Sequence, residues 1–454
     1  MPLTAVVLAA GQGTRMRSKT PKVLHDLCGR PLVRWPVEAA LGAGAEKVVV
    51  VGGPDRALEG HLPEQAVLAV QPEAKGTGHA VQCAAEHIGP EDTVVVLYGD
   101  VPLITAATIE ELARTHESEG AGATIITMIL ADPSGYGRVV RDDGGDVVKV
   151  VETKDPRDAT PEELAIDEVN TGIYAFAGGP LVEALEAVTP DNAQGEYYLP
   201  DVLPILRERG LRIVASEIED PWLAAGINDR AQLGEIREVA QRRIVDEHQR
   251  AGVTVINPAA TTIDVGVAIG ADTTIEPGCV IRGATTIGED CRIGPNTTLL
   301  GARLGDGVVA RNAWMDDADV EDAVTIGPFA YLRPKTRVRK GAKIGTFVEL
   351  KNSDIGEGTK VPHLSYLGDA DVGPGTNIGA CNVTANYDGR DKHRTTIGAN
   401  VKTSVDTTFV APVTIGDGAY TAAGSVITED VPEDALGVAR ARQTNVEGYA
   451  RRKG

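Results

Sequence analysis

Ile269-Gly-Ala-Asp-Thr-Thr-Ile275-Glu-Pro-Gly-Cys-Val-Ile281-Arg-Gly-Ala-Thr-Thr-Ile287-Gly-Glu-Asp-Cys-Arg-Ile293 places isoleucine at every sixth position, and Leu299 extends the series. Ile326, Leu332, Val338, Ile344 and Leu350 resume it, and Ile355, Val361 and Leu367 follow after a five-residue step. Ile397, Thr403, Phe409, Ile415, Thr421 and Ile427 repeat it a third time. A period of six, with glycine often next to the apolar residue, predicts a parallel β-helix domain with a C-terminal tail over 252–454. Each turn of such a helix buries its apolar corners on the turn below.

Working toward the N-terminus, 229–251 reads as one helix about 30 Å long. Leu233, Ile236, Ala240 and Ile244 recur at helical spacing amid Arg, Glu and Gln, and Gly252 closes the run. Residues 1–228 alternate instead. Val6–Leu8, Val48–Val51 and Val94–Leu97 are short buried-strand runs, with helical stretches such as Leu32–Leu41 and Gly78–His87 between them. That alternation predicts an α/β domain of the doubly wound, Rossmann-like type with a parallel sheet. Ligands in such sheets sit at the carboxyl ends of strands, so the residues just after Leu8 and Leu97 are the ones to inspect.

The 454 residues carry 44 Lys+Arg against 65 Asp+Glu, a formal net charge of −21. That argues against nucleic acid or an anionic membrane as partner and leaves small molecules. No run of 18 apolar residues is present, and Met-Pro-Leu-Thr-Ala-Val-Val-Leu has no basic flank, so neither a membrane span nor a signal peptide is expected. Cysteines 28, 83, 279, 291 and 381 form no CxxC, which fits a reducing compartment, most simply the cytoplasm.

An anionic ligand must then meet a local basic cluster. Between 333 and 351 the chain offers Arg333, Lys335, Arg337, Arg339, Lys340, Lys343 and Lys351. If a coil is three hexads, Arg333 and Lys351, 18 residues apart, stack in adjacent coils with backbones about 4.8 Å apart. Stacked like charges repel, and an anion between them offsets that. The plainer reading is a solvated basic face. His363 follows closely, a residue type suited to taking a proton near neutral pH.

After the first strand comes Leu8-Ala9-Ala10-Gly11-Gln-Gly13-Thr14-Arg15-Met16, then Pro21-Lys22. Such a loop can close backbone N–H groups around phosphate, with Arg15 and Lys22 adding charge. It lacks the third glycine of a dinucleotide fingerprint and the GK[ST] of a P-loop. Asp100 ends a hydrophobic strand, where a carboxylate can hold Mg²⁺ over the ligand crevice. An ordinary strand–helix turn and a solvated turn aspartate are the plainer readings.

Further motifs are Gln71, Gly76-Thr77-Gly78-His79, Tyr98-Gly99-Asp100, Gly135-Tyr136-Gly137-Arg138, Val151-Glu152, Val169-Asn170-Thr171-Gly172 and Gly226-Ile227-Asn228. With the Thr-Arg-Met core and Pro-Lys, they resemble the signature of sugar-phosphate nucleotidylyltransferases. In the second half Tyr331-Leu-Arg333-Pro, Glu349-Leu-Lys351-Asn-Ser, His363, Tyr366, Gly375-Thr-Asn377-Ile-Gly-Ala380, Asn386-Tyr387-Asp388-Gly389, Lys392 and Arg440 occur in order. Together the two halves resemble the bifunctional N-acetylglucosamine-1-phosphate uridylyltransferase/glucosamine-1-phosphate N-acetyltransferase family.

That resemblance implies a left-handed β-helix, a homotrimer, acetyl-CoA and UTP as co-substrates, and Mg²⁺ held by Asp100 and Asn228. It assigns UTP and UDP-N-acetylglucosamine to Leu8, Ala9, Ala10, Gly11, Lys22, Gln71, Gly76, Thr77, Tyr98, Gly99, Asp100, Gly137, Glu152, Asn170 and Asn228, with Arg15 and Lys22 catalytic. It assigns glucosamine 1-phosphate to Arg333, Lys351, Tyr366, Asn377 and Lys392, with His363 as general base. Ala380, Asn386, Tyr387, Val405, Ala423 and Arg440 fall to acetyl-CoA. The sequence departs from the pattern at Ser404-Val405-Asp406, where the family usually carries Gly-Ser-Asp. The alternative is a single-function nucleotidylyltransferase whose β-helix is only structural.

Overall fold

The computed structural model describes residues 1–11, 13–151, 153, 159–190 and 195–452. They form two compact units, Met1–Ala240 and Gln241–Gly454, and the division falls inside the helix Arg230–Arg250. The stripe on that helix is buried as its spacing requires: Leu233, Ile236 and Ala240 in the first unit, Ile244 in the second. Among the described residues no helix is long and apolar enough to cross a membrane.

The first unit is built on nine strands: β1 (Leu3–Leu8), β2 (Lys47–Gly52), β3 (Ala66–Val70), β4 (Thr93–Tyr98), β5 (Ala123–Ile129), β6 (Gly137–Arg141), β7 (Val147–Val151), β8 (Glu168–Ala177) and β9 (Ile213–Glu217). Their order is β9-β5-β8-β4-β1-β2-β3, with the β6–β7 pair attached to β8. β1, β2 and β4 are near-continuous valine and leucine runs because helices cover both faces of the sheet. The sheet is not wholly parallel, as the alternation implied. β8 runs antiparallel to both β4 and β5. Between β5 and β8 the chain forms the β6–β7 hairpin and the one-turn helix Pro161–Leu164, and β8 then runs back in the opposite direction. The helical run expected over Gly78–His87 also divides. It is α-helical over Thr77–Gln82, and then a separate 3₁₀ turn spans Ala85–His87.

The second unit is a three-faced parallel β-helix, its faces made of seven, ten and nine short strands. Ile269 pairs with Ile287, Ile275 with Ile293 and Ile281 with Leu299, one coil apart. The gap in the hexad series between Leu299 and Ile326 is filled by Leu304, Ala310, Met315 and Val320, which join the ladder through a mixture of five- and six-residue steps. Buried threonines bond from coil to coil. The Thr273 hydroxyl donates to the Gly288 carbonyl at 2.8 Å and that of Thr359 to Gly373 at 2.7 Å. Those bonds explain polar residues with no exposure inside the coil.

Candidate functional site

In the first unit the ends of β1 and β4 lie side by side. Leu8 is in register with Tyr98, and the Gly99 N–H donates to the Leu8 carbonyl at 2.9 Å. The loop after β1 turns at Gly13, whose φ is +59°. A Cβ on Gly13 would stand 2.4 Å from the Lys22 Cβ, so glycine there lets Lys22 pass close beneath the loop. The Lys22 ammonium pairs with the Asp100 carboxylate. Arg15 Nη2 donates to Asn228 Oδ1 at 2.7 Å. The Ile227 N–H donates to the Asp100 carbonyl at 3.0 Å, which ties the Asn228 segment to the end of β4. Arg15 and Lys22 of the loop after β1, Asp100 after β4 and Asn228 come from three separate stretches of sequence to one place.

Leu8, Ala9, Ala10, Gly11, Lys22, Gln71, Gly76, Thr77, Tyr98, Asp100 and Asn170 line a cavity of about 390 Å³ beside them. Gly137 pairs with Asn170, next to an irregularity in β8 between Asn170 and Tyr174 that re-aims the strand at the cavity. Glu152 lies outside the described residues. Sequence reasoning missed Glu196 and Tyr198 on the same wall. An acid followed by two tyrosines and Leu-Pro was the available signal. Among the described residues no group of three or more His, Cys, Asp and Glu could hold a metal. The carboxylate of Asp100 and amide oxygen of Asn228 are hard donors, and two of them suit Mg²⁺, which usually keeps waters and substrate phosphates in its other positions.

In the second unit the cations sort into two groups. Arg337, Arg339 and Lys340 are each met by carboxylates of neighbouring coils, Arg339 by Asp354 at 2.6 Å and Glu321 at 3.0 Å. For these the solvated, ion-paired face is the right reading. Arg333 is ion-paired too, with Glu349, but it and Lys351 differ from these in stacking on one another. Leu332 pairs with Leu350, and the Arg333 N–H donates to the Leu350 carbonyl at 2.8 Å, so the two basic residues follow corners of adjacent coils.

A third cation joins them from an excursion between Asn386 and His393. Tyr387 bridges Lys392 there, and the His393 N–H donates to the Asn386 carbonyl at 2.8 Å. The excursion turns on Asp388, whose carboxylate the Asp391 N–H and the His393 ring hold down to about 2. Lys392 thereby reaches Lys351 and pushes its pKa below the ordinary lysine value. Partial burial and Arg333 act in the same sense, while Asp369 opposes them. Burial would raise the Asp369 carboxyl, but bonds from Asn352 and Asn386 and the charges of Lys351 and Lys392 hold it below the usual range. Glu349 answers Arg333 at 3.0 Å. Tyr366 lies over Gly368, where an added Cβ would meet its hydroxyl at 2.3 Å and the Asn386 amide at 2.9 Å.

His363 is exposed at the end of the strand Lys360–His363, one coil above Thr346. The residue after it, Leu364, has positive φ, as do Cys381, Asp406 and Gly424. Each begins the same corner turn in a successive coil. The Asp406 N–H donates to the Ala380 carbonyl at 2.8 Å and that of Gly424 to Val405 at 3.1 Å. His363, Ala380, Val405 and Ala423 therefore form one line along one corner. Asn377 sits on the adjoining strand position between Lys360 and Lys402. Arg440 is exposed just beyond Ala439, whose N–H bonds the Ser425 hydroxyl at 3.2 Å in the last coil.

Residues 5–140 match the family model of a MobA-like NTP transferase domain, and residues 266–301 match six bacterial transferase hexapeptide repeats. Over its full length the chain is 51% identical to the bifunctional protein GlmU of Streptomyces avermitilis, covering 100% of this chain and 95% of that one. The protein of the same name from Mycolicibacterium vanbaalenii is 51% identical, with 99% and 92% covered. That of Corynebacterium glutamicum is 46% identical, with 99% and 94% covered.

Proposed function

The chain belongs to the bifunctional GlmU protein family, and we propose how its residues divide the two transfers of that family. It is a transferase with two activities. One acetylates glucosamine 1-phosphate with acetyl-CoA, and the other joins N-acetylglucosamine 1-phosphate to UTP, giving UDP-N-acetylglucosamine and pyrophosphate.

Acetyl transfer is ours to assign to the β-helical unit. Arg333, Lys351 and Lys392 hold the phosphate, and Tyr366 and Asn377 contact the sugar. His363 takes a proton from the 2-amino group as its nitrogen attacks the thioester carbonyl, and the CoA thiolate leaves. Acetyl-CoA lies along the corner line of Ala380, Val405 and Ala423, with Asn386, Tyr387 and Arg440 beside it. The observation that carries this reading is the convergence of three cations in a chain of net charge −21. A purely structural β-helix has no use for stacked cations that repel.

Uridylyl transfer belongs to the cavity of the first unit. A phosphate oxygen of the sugar attacks the α-phosphorus of UTP in line, and pyrophosphate leaves. The nucleophile is already an anion, so Arg15 and Lys22 act by position and charge. Gln71, Gly76 and Thr77 read the base, while Gly137, Glu152 and Asn170 line the sugar pocket. Asp100 and Asn228 would hold Mg²⁺, which when bound neutralises phosphate charge.

We also propose a homotrimer through the β-helix and work in the cytoplasm. The exposed rings of Phe329 and Phe347, stacked 5.3 Å apart, with exposed Leu364 at the same corner of the next coil, support the first. Five cysteines without a disulfide support the second. The test of the function is one incubation with glucosamine 1-phosphate, acetyl-CoA, UTP and Mg²⁺, following free CoA and pyrophosphate separately. Pyrophosphate release without CoA release, even with N-acetylglucosamine 1-phosphate supplied, would favour the single-function alternative.

A further inference from the structure

Gln71 follows the end of β3 and is only 4% exposed on the wall of the nucleotide cavity. Its side-chain nitrogen makes two contacts. Nε2 donates to the Gly76 carbonyl at 3.1 Å and lies 3.1 Å from His79 Nδ1. A primary amide has two hydrogens on nitrogen, and these two partners take both. The second contact requires His79 Nδ1 to accept, which leaves the ring proton on Nε2. That nitrogen faces the Cys83 sulfur at 3.9 Å, a weak acceptor for an N–H. Burial pushes the Cys83 thiol up, so it stays neutral and keeps that role.

With its nitrogen committed twice, the Gln71 amide can present only its carbonyl oxygen to a ligand. An acceptor at that place matches the N3–H donor of uracil. Cytosine has a bare nitrogen at N3, an acceptor, and would face the amide oxygen with two lone pairs opposed. A free glutamine could rotate its amide by half a turn and satisfy either base. This one cannot do so without losing its bond to His79 and setting its oxygen against the Gly76 carbonyl. The backbone supports the same arrangement. Gly76 has φ +100°, and a Cβ there would stand 2.4 Å from the Tyr197 carbonyl, so the acceptor is fixed by a turn only glycine fits.

We propose that His79 is a positioning residue that locks the orientation of the Gln71 amide and thereby sets the choice of uridine over cytidine nucleotide. The inference rests on the reading that Gln71 contacts the base. His79 itself touches neither the substrate nor the reacting phosphorus. It acts by denying Gln71 its second orientation.

The test is kcat/KM for UTP and for CTP, with N-acetylglucosamine 1-phosphate and Mg²⁺, in wild type, His79→Phe, His79→Leu, His79→Asn and Gln71→Ala. Two apolar replacements of different size guard against loss of the fold. Each removes one of the two partners that hold the amide while the Gly76 carbonyl still opposes rotation, so the UTP:CTP ratio should fall by about two- to twelvefold, the worth of one neutral hydrogen bond. Asparagine can place its side-chain oxygen where Nδ1 stands, so His79→Asn should restore most of the ratio. Throughout, KM for N-acetylglucosamine 1-phosphate should stay near the wild-type value. An unchanged ratio in the apolar variants, with the ratio lost in Gln71→Ala, overturns the role of His79 and leaves the base contact standing. A ratio unmoved even in Gln71→Ala overturns the base contact itself. Equal loss on both nucleotides without rescue by asparagine would make His79 merely structural.

Discussion

Lys351→Met removes one ammonium from the anion site and keeps most of the apolar stem, which makes it a sharp probe of the phosphate contact. In the free protein Lys392 pushes the Lys351 pKa below its ordinary value, burial and Arg333 add to that, and Asp369 only partly offsets them. A bound phosphate reverses the balance, because an anion favours the charged lysine. Hydrogen bonds to charged groups are worth about one to two decades in affinity. Two features set the expected value at the low end. The site is open to solvent, which weakens ion pairing. Loss of Lys351 also relieves its repulsion with Lys392 before substrate arrives. The expectation is a rise of about tenfold in KM for glucosamine 1-phosphate, with KM for acetyl-CoA close to wild type. Arg333→Met should do less, since Glu349 already meets that guanidinium at 3.0 Å. The pH dependence has a definite sign. Rising pH discharges Lys351 before an ordinary lysine, so the wild-type KM for glucosamine 1-phosphate should climb through that interval, and in Lys351→Met it should stay flat there. Initial rates of CoA release, with each substrate varied against saturating partner, measure all of this. An equal rise in both KM values, a larger effect of Arg333→Met, or a pH climb that persists in Lys351→Met would refute the reasoning.

Asp100→Ala should abolish pyrophosphate release while CoA release persists, and loss of both in a folded protein would contradict two separate sites. His363→Ala should lower acetyl transfer by about 10²–10⁴-fold and still uridylylate supplied N-acetylglucosamine 1-phosphate, whereas near-normal acetylation would return His363 to an ordinary surface residue. Val405 is exposed on the same corner line as His363, so Val405→Ser should tighten acetyl-CoA binding by about two- to twelvefold, the worth of one neutral hydrogen bond. Calorimetry on Val405→Ser and Ser404→Ala checks this, and weaker binding in Ser404→Ala alone would assign the contact to Ser404 instead.

How much of this was legible in the chain follows from where the geometry repeats. Ile269 to Leu299 keep one period because each adds a side of equal length to the coil, and so the register Leu332 to Leu350, and with it the stacking of Arg333 on Lys351, could be read by counting. Leu304 to Val320 escaped the count because their coils are one or two residues shorter, and a shortened corner leaves no mark in composition. The antiparallel strand Glu168–Ala177 escaped for a different reason: an apolar run reports burial and not direction. Resemblance supplied Lys392 and Gln71, and His79 within a motif but with no role; it gave neither the Asp369 contacts nor that between His79 and Gln71, which exist only after folding. The contrast is sharpest at the anion site. Val372 pairs with Ile397 across 25 residues, against 18 for Ile397 and Ile415, because the Asn386–His393 excursion interrupts the coil. A stacked repeat converts sequence offset into distance only while coil length holds. The cation that perturbs Lys351 most comes from the segment where it does not, so a charge that decides the chemistry of the site lies where the period is silent.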